Sequence, residues 1–320
     1  MERKPRLIII PPQHLGHEIH IARCIVIDMM IKGFLSVQHG DCVMTGLPDR
    51  RFFYESLFGV SNVFDFSILS SNYLIKKPPK TVEDYSHFLT SKFYEFEELN
   101  KFKIINLSIY SLPPPFCTFS TSNEMVEIGY NIPDHYWSDD FIKKSQSFNF
   151  SVSDPVVEYV NSNFPLFILI HHRYNASIAK LESILNSLPI LLPKIIFCNE
   201  PALIEKFFEN SENLIFIDDL NLYATLLNNK KCKLLITEWS GAGQLAQYIL
   251  GSQGAIWHYY DHYKDIFNFT ESFKIWQHNA KIGSYFNCWD HKVVTGCDTQ
   301  HFSSHEDLLL FLKNISLTLS

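Results

Sequence analysis

One stretch limits this chain's fold more than any other: Lys231–Ser252, KCKLLITEWSGAGQLAQYILGS. Leu234–Thr237 is a short apolar run of the kind needed by a parallel strand covered on both faces. Ser240, Gly241, Ala242 and Gly243 interrupt it. From Gln244 onward, Leu245, Ala246, Ile249 and Leu250 fall at helical spacing, and Gly251 stands where a helix stops. A strand feeding a helix through a glycine turn leaves backbone N–H groups at the helix start without acceptors, and such groups suit a phosphate. The turn Ser240–Gln244 therefore reads as an anion site. Two other readings stay open. Gly241 to Ala246 matches the dinucleotide fingerprint G-x-G-x-x-G/A, with Asp261 at about the spacing of a ribose-binding acid. Alternatively, the small residues only let a helix pack close to a sheet. Against the fingerprint, about two strand–helix units precede it, whereas in dinucleotide enzymes it opens its domain.

The same alternation runs along the rest of the chain. Leu7–Ile10 predicts a strand, followed by Pro11-Pro12, a Gln13–Glu18 turn and a helix through Ile25, Val26 and Met30 to a stop at Gly33. A second strand is expected at Cys42–Thr45, a helix from about Asp49 to Phe58, an acidic-aromatic helix over 81–99 and a strand at Ile104–Leu107. From Pro113 to about Phe150 the periodicity fades. Asp154-Pro155 then offers a capping acid followed by proline at the first helical position. Strands are expected at Phe167–Ile170, Lys194–Cys198 and Leu214–Ile217, with helices over 176–188, 201–209 and 220–227 between and after them. After the central strand, Ala255–Tyr259 closes the series, and Ser303-Ser304-His305-Glu306 opens a terminal helix as a capping box. Strands and helices alternating in this way imply parallel, doubly wound sheets. The fold class is α/β: two Rossmann-like domains, 1–150 and 151–320, facing each other across a cleft.

Net charge is −7, which argues against a protein that neutralises nucleic-acid phosphates. Arg3-Lys4-Pro5-Arg6 and Lys76-Lys77 are short basic clusters, read as solvated surface, with a peripheral contact to anionic lipid left open. Seven scattered cysteines without a C-x-x-C pair fit reduced thiols and a cytoplasmic location. The apolar run after MERKPR is too short for a signal-peptide core, and no run reaches the roughly 18 residues of a membrane span.

His171-His172-Arg173 follows the strand Phe167–Ile170, where strand ends line the ligand crevice of an open parallel sheet. Arginine there can clamp a diphosphate bidentately. Asp219 reads as a helix N-cap, and Glu238, at a strand end, as an acceptor for ribose hydroxyls. Trp257 to Tyr263 reads as a sugar-stacking patch or a buried aromatic seam. The run His14, His17, Glu18, His20 has neither the H-E-x-x-H nor the H-x-x-E-H order, so no metal is expected there.

Ile168 to Arg173 resembles the H-x-R-R-x-D motif of bacterial α-1,2-fucosyltransferases and their O-fucosyltransferase relatives, within the GT-B glycosyltransferases. Phe197-Cys198-Asn199-Glu200 and Thr237 to Gly241 resemble later blocks of that group, and Leu15 to Ile19 stands where it has a glycine loop. The motif's second arginine is Tyr174 here and its aspartate is Ala176, so only the first arginine's role, holding donor phosphates, carries to Arg173. The resemblance implies a glycosyltransferase working without metal or cofactor. It would move a sugar from a nucleotide-diphosphate or CMP sugar to a glycan or lipid-linked oligosaccharide in surface polysaccharide synthesis. The donor would be held by His171, Arg173, Glu238, Ser240, Gly241, Ala242, Gly243 and Gln244. His17 or Glu18 would serve as base, with Gln13 and His14 on the acceptor side. The rivals are an NAD(P)-dependent oxidoreductase and a non-catalytic nucleotide- or glycan-binding relative.

Overall fold

Leu7 to Ile10 are all buried, so the first strand has protein on both faces, as its unbroken apolar sequence demands. A computed structural model describes residues 3–10, 15–65, 101–107, 116–121, 124–129, 139–150, 153–173, 177–189, 191–208, 213–238, 240–250, 254–259 and 298–319. The chain divides into two compact units: Met1–Asn149 with Asn279–Cys288, and Phe150–His278 with Trp289–Ser320. Each is built on a parallel sheet, and the chain is an α/β protein with two parallel-sheet domains.

In the first unit the sheet contains β1 (Arg6–Ile10), β2 (Cys42–Thr45), β3 (Val63–Asp65) and β4 (Lys103–Asn106), in the order β3-β2-β1-β4. β1 therefore lies between β2 and β4, with Ile8 level with Val43 on one side and Ile105 on the other. After β1 the chain turns helical at once. A turn at Leu15–His17 leads through a π-helical stretch, Glu18–Ala22, into α1 (Arg23–Ile31). α2 (Phe52–Phe58) follows a 3-10 turn at Pro48–Arg50 and so starts later than its apolar content suggested. Proline at the start of the 3-10 turn sets its φ without losing a needed donor. Beyond β4 come an antiparallel hairpin, β5 (Phe116–Thr121) with β6 (Glu124–Gly129), and α3 (Asp139–Ser145). All three lie where the sequence showed no periodicity. The expected 81–99 helix lies outside the described residues.

Asp41 gathers the N-terminal segment around it. It accepts from the backbone amides of Arg6 and Ser36 and pairs with Arg3, while the Arg6 guanidinium lies 3.6 Å from the centre of the Phe34 ring. Arg3 and Arg6 thus have protein partners, where the sequence reading had a solvated cluster.

The second unit runs α4 (Pro155–Asn163), β7 (Phe167–His172), α5 (Ile178–Asn186), β8 (Lys194–Cys198), α6 (Pro201–Glu205), β9 (Leu214–Ile217), α7 (Leu220–Asn228), β10 (Cys232–Glu238), α8 (Gly241–Leu250), β11 (Ala255–Tyr259), β12 (Asp298–Phe302) and α9 (His305–Leu319). Its six strands are all parallel, in the order β12-β11-β10-β7-β8-β9. Counted within the unit this is 6-5-4-1-2-3, the order of doubly wound dinucleotide-binding sheets. The series does not close at β11. β12 adds an edge strand whose sequence, DTQHF, lacks the apolar run of a buried strand. Edge strands need none.

Helix starts follow the local chemistry. Asp154 and Asp219 accept from Val156 N and Leu222 N at 2.7 Å, so both are N-caps. The cap of α9 is Ser304, which accepts from Asp307 N at 3.2 Å. The box residue is therefore Asp307 and not Glu306.

α8 is buried from Ala242 to Leu250 because it packs against both the sheet and α7. A Cβ placed on Gly243 would lie 2.8 Å from His258 Cε1 and 2.9 Å from Thr237 Cγ2. Both belong to central strands that cannot yield cheaply. Gly243→Ala is therefore expected to lower stability by about 2 kcal/mol, measured by urea unfolding. A neutral result would mean that the helix can lift off the sheet at no cost.

Candidate functional site

In an open parallel sheet, ligands bind beyond the carboxyl ends of the strands where the winding reverses. In the second unit that point falls between β7 and β10, which carry the two stretches singled out from sequence. Register makes them neighbours: His171 is level with Thr237, and beyond them Phe197 and His258 continue the row to His301. Each is the last residue but one of its strand, and in-register neighbours share one face of the sheet.

The far half of this row is closed. His258 is fully buried, Gln247 Nε2 lies 3.4 Å from its Nε2, and the His258 and His301 rings stack at 5.4 Å. Burial holds both imidazoles neutral. His301 is pushed down to about 4, and His258, which also feels His301, lies well below its ordinary value. Trp257 packs edge-on against Phe302 and Phe311, so this part of the 257–263 patch is an aromatic seam. Residues 260–263 lie outside the described residues.

The near half is polar. His171 Nδ1 lies 3.0 Å from Thr237 Oγ1 and 3.1 Å from Ser240 Oγ. Thr237 Oγ1 donates to the Glu238 carbonyl at 2.7 Å, and Ser240 Oγ accepts from Gly243 N at 3.4 Å, which makes Ser240 the N-cap of α8. Gln244 N closes onto the Ser240 carbonyl at 3.0 Å. The amides of Gly241 and Ala242 are left in the first turn, where an α-helix offers no acceptor. His171 rests on Phe197, which stacks on Tyr223 at 4.3 Å, and the Tyr223 hydroxyl donates to the Ala242 carbonyl at 3.1 Å. This column ties the imidazole to the helix start. Burial first, then the nearby His172 and Arg173, push His171 down to about 3. Arg173, just beyond β7, has a buried Nη1 without a hydrogen-bond partner.

The predicted donor residues therefore divide. His171, Ser240 and the Gly241–Gln244 turn come together, with Arg173 close enough to act on the His171 charge. The Glu238 side chain is 3% exposed, turned into protein. Sequence reasoning passed over Thr237, although a polar residue ending an apolar run was the signal for it.

In the first unit, Glu18 opens the π-helical stretch and is 1% exposed. The sequence placed it on a loop. Here it is helical, and its neighbours Ile19 and Ala22, both in the core, carry it inward. Arg50 Nε lies 3.8 Å from Glu18 Oε2 and 3.4 Å from Asp49. The fully buried Tyr54 hydroxyl lies beside the carboxyl without reaching hydrogen-bonding geometry. Burial pushes Glu18 up to about 8, outweighing the pull of Arg50. The His17 backbone lies in the preceding turn, its side chain is outside the described set, and Gln13 and His14 are outside the described residues. Among the described residues no three His, Cys, Asp or Glu side chains are placed to share a metal. Among the described residues, Cys24, Cys42, Cys198 and Cys232 are buried and outside any disulfide.

No protein-family model matches the chain, and no curated protein does at a significant level. Solved structures do match. The E. coli ADP-heptose lps heptosyltransferase II is 10% identical with a TM-score of 0.40, over 80% of this chain and 84% of that one. The E. coli heptosyltransferase WaaC with ADP is 7% identical with a TM-score of 0.43, over 98% of each. The UDP-GlcNAc 2-epimerase from Neisseria meningitidis bound to UDP-GlcNAc is 12% identical with a TM-score of 0.42, over 98% of this chain and 99% of that one. Likenesses of this depth decide neither activity nor substrate, which have to be argued from the chain's own residues.

Proposed function

We propose that this chain is a glycosyltransferase that takes its sugar from a nucleotide-diphosphate donor held by the second unit. The observation that carries the reading is the meeting of two strand ends at the winding reversal. β7 contributes His171 and Arg173, and β10 contributes Ser240 and the first turn of α8. Nearly everything unspent there donates: the amides of Gly241 and Ala242, the Ser240 hydroxyl and the Arg173 guanidinium. Such a set fits a diphosphate and, during transfer, the charge growing on it as a leaving group. Ala242 and Gln244 belong to the same turn, and the Glu238 carbonyl holds the Thr237 hydroxyl beside it. The Gly243 packing explains that glycine without a dinucleotide, which weakens the oxidoreductase rival. That rival's Asp261 is outside the described residues.

The acceptor, a glycan or lipid-linked oligosaccharide, would be met by residues 13–20 of the first unit. There Glu18 or His17 would accept the hydroxyl proton, with Gln13 and His14 beside the acceptor. A carboxyl whose proton affinity is raised to about 8 still holds its proton at neutral pH, so Glu18 would take the hydroxyl proton only as pH rises toward that value. The donor is not narrowed to GDP-fucose, since Tyr174 and Ala176 replace two residues of that motif. A lipid-linked acceptor would bring the protein to the inner face of a membrane as a peripheral partner. No helix among the described residues is long and apolar enough to cross one.

The test is thermal stability in the presence of UDP, GDP, ADP and CMP sugars and NAD(P), because a ligand bound only by the folded state raises the melting temperature. One class of sugar nucleotide should give a shift of several degrees. Arg173→Ala should remove most of that shift while leaving the ligand-free melting temperature unchanged. A shift with NAD(P) alone, or one that Arg173→Ala leaves intact, would refute the assignment. Binding without transfer to any acceptor would favour a non-catalytic role.

A further inference from the structure

Ligand donors dominate this site, and one group breaks the pattern. The Thr237 hydroxyl has a single proton, and that proton is committed to the Glu238 carbonyl at 2.7 Å. Toward His171 Nδ1, 3.0 Å away, Thr237 Oγ1 can therefore only accept. A bare Nδ1 would set two lone pairs against each other, so the proton of the ring sits on Nδ1 and is shared with Ser240 Oγ at 3.1 Å. Two consequences follow. The Ser240 proton is free for a ligand, and Nε2 of His171 carries an unshared lone pair. Among the described residues Nε2 has no hydrogen-bond partner, and His171 is only half-buried, which leaves Nε2 available to a ligand. The low proton affinity of this ring, set by burial first and then by His172 and Arg173, keeps the lone pair bare.

A bare nitrogen repels phosphate oxygens and accepts from O–H. We propose that His171 reads a hydroxyl on the ligand, so that the site takes a phosphate ester of a polyol, a ribose or a hexose, in preference to a bare anion. This rests on the nucleotide-sugar reading above and adds the role of one residue to it. His171 is a specificity residue: it touches the ligand while Ser240, Arg173 and the α8 amides hold the charge.

Two measurements test the proposal. Long-range proton–nitrogen correlation spectra of the 15N-labelled protein, with the His171 signal assigned by its loss in His171→Asn, should show a neutral ring protonated at Nδ1, both free and with ligand. Titration calorimetry then compares inorganic pyrophosphate with UDP, GDP and ADP and with their glucose derivatives. Asparagine keeps a donor toward Thr237 and gives up the outer acceptor. His171→Asn should therefore weaken the hydroxyl-bearing ligands about tenfold, the worth of one hydrogen bond, and leave pyrophosphate within about twofold. His171→Gln, which can keep an outer acceptor, should fall between. A loss already present with the nucleoside diphosphates assigns the hydroxyl to ribose, and one confined to the glucose derivatives assigns it to the sugar. An equal loss for pyrophosphate, or a doubly protonated ring in the complex, would overturn the role of His171 alone. A wild-type protein that binds none of these ligands would overturn the nucleotide reading itself.

Discussion

Arg23→Ala is expected to lower the stability of the first unit by about 4 kcal/mol. Arg23 begins α1 and is 1% exposed, which for a guanidinium requires that its donors be met. They are met by main-chain carbonyls: Phe53 at 2.9 Å, Ser145 at 2.6 Å, Lys144 at 3.1 Å and Ser147 at 2.5 Å. Three of these lie at or just beyond the end of α3, where helix carbonyls lack intrahelical donors and the dipole favours a cation. Phe148 lies against the guanidinium at 4.2 Å. One side chain therefore joins α1, α2 and the segment 139–150, more than a hundred residues away in sequence. Alanine would leave several acceptors buried without donors as well as a cavity. Arg23→Lys keeps the charge but not the planar fork, so it should recover only part of the loss. Urea unfolding reads the energy, and hydrogen exchange should show residues 139–150 losing protection first. A loss below about 1 kcal/mol would mean that α3 is held by its apolar face alone, through Phe141 on Cys24 and Ile27.

That arginine also marks a limit of what the sequence discloses. RCIVIDMM reads as an apolar helix, and nothing local says that Arg23 faces carbonyls far along the chain. The central strand, turn and helix were legible because three signals agree there: an apolar run, a break of small residues and a helical period. The caps Asp154 and Asp219 were legible for the same reason, since a cap is a local interaction. β12 and the β5–β6 hairpin were not, because edge and hairpin strands rich in Ser, Thr and charged residues carry little of the apolar signal that marks a strand. The candidate site was half legible. His171, Arg173 and Ser240 stood out as strand-end residues, but the His171–Thr237 contact depends on β10 lying beside β7. Strand order in a parallel sheet is a tertiary property: β9 precedes β10 in the chain and lies at the far edge. Glu18 fails differently. After His-Leu-Gly-His a glutamate reads as loop, and only the π-helical turn carries its carboxyl inward.

Glu18→Gln should stabilise the protein increasingly as pH rises from about 4.5 to about 8, and leave it unchanged below 4.5. The folded state holds the Glu18 proton up to about 8, whereas an ordinary glutamate releases it near 4.5. Between those values the folded protein binds more protons than the unfolded chain, so the Glu18 contribution is fully present below 4.5 and is lost as pH rises through 8. At about 1.4 kcal/mol for each pH unit crossed, the loss is on the order of 4 kcal/mol by pH 8. Arg50 is too far from the carboxylate, at 3.8 Å, to repay its desolvation. Glutamine has the shape of the neutral acid and nothing to ionise, so the variant should lose this fall between about 4.5 and 8 and keep the opposite slope toward acid. The acid slope belongs to the half-buried imidazoles. His171 and His301, held down to about 3 and about 4, stay neutral when folded but take up protons near 6.5 when unfolded, so stability falls as pH drops below 6.5. Urea midpoints from pH 4 to 9 separate the two arms. Parallel profiles for wild type and Glu18→Gln above pH 5 would show that the carboxyl ionises without penalty, and a base of raised proton affinity at this position would fall with that result.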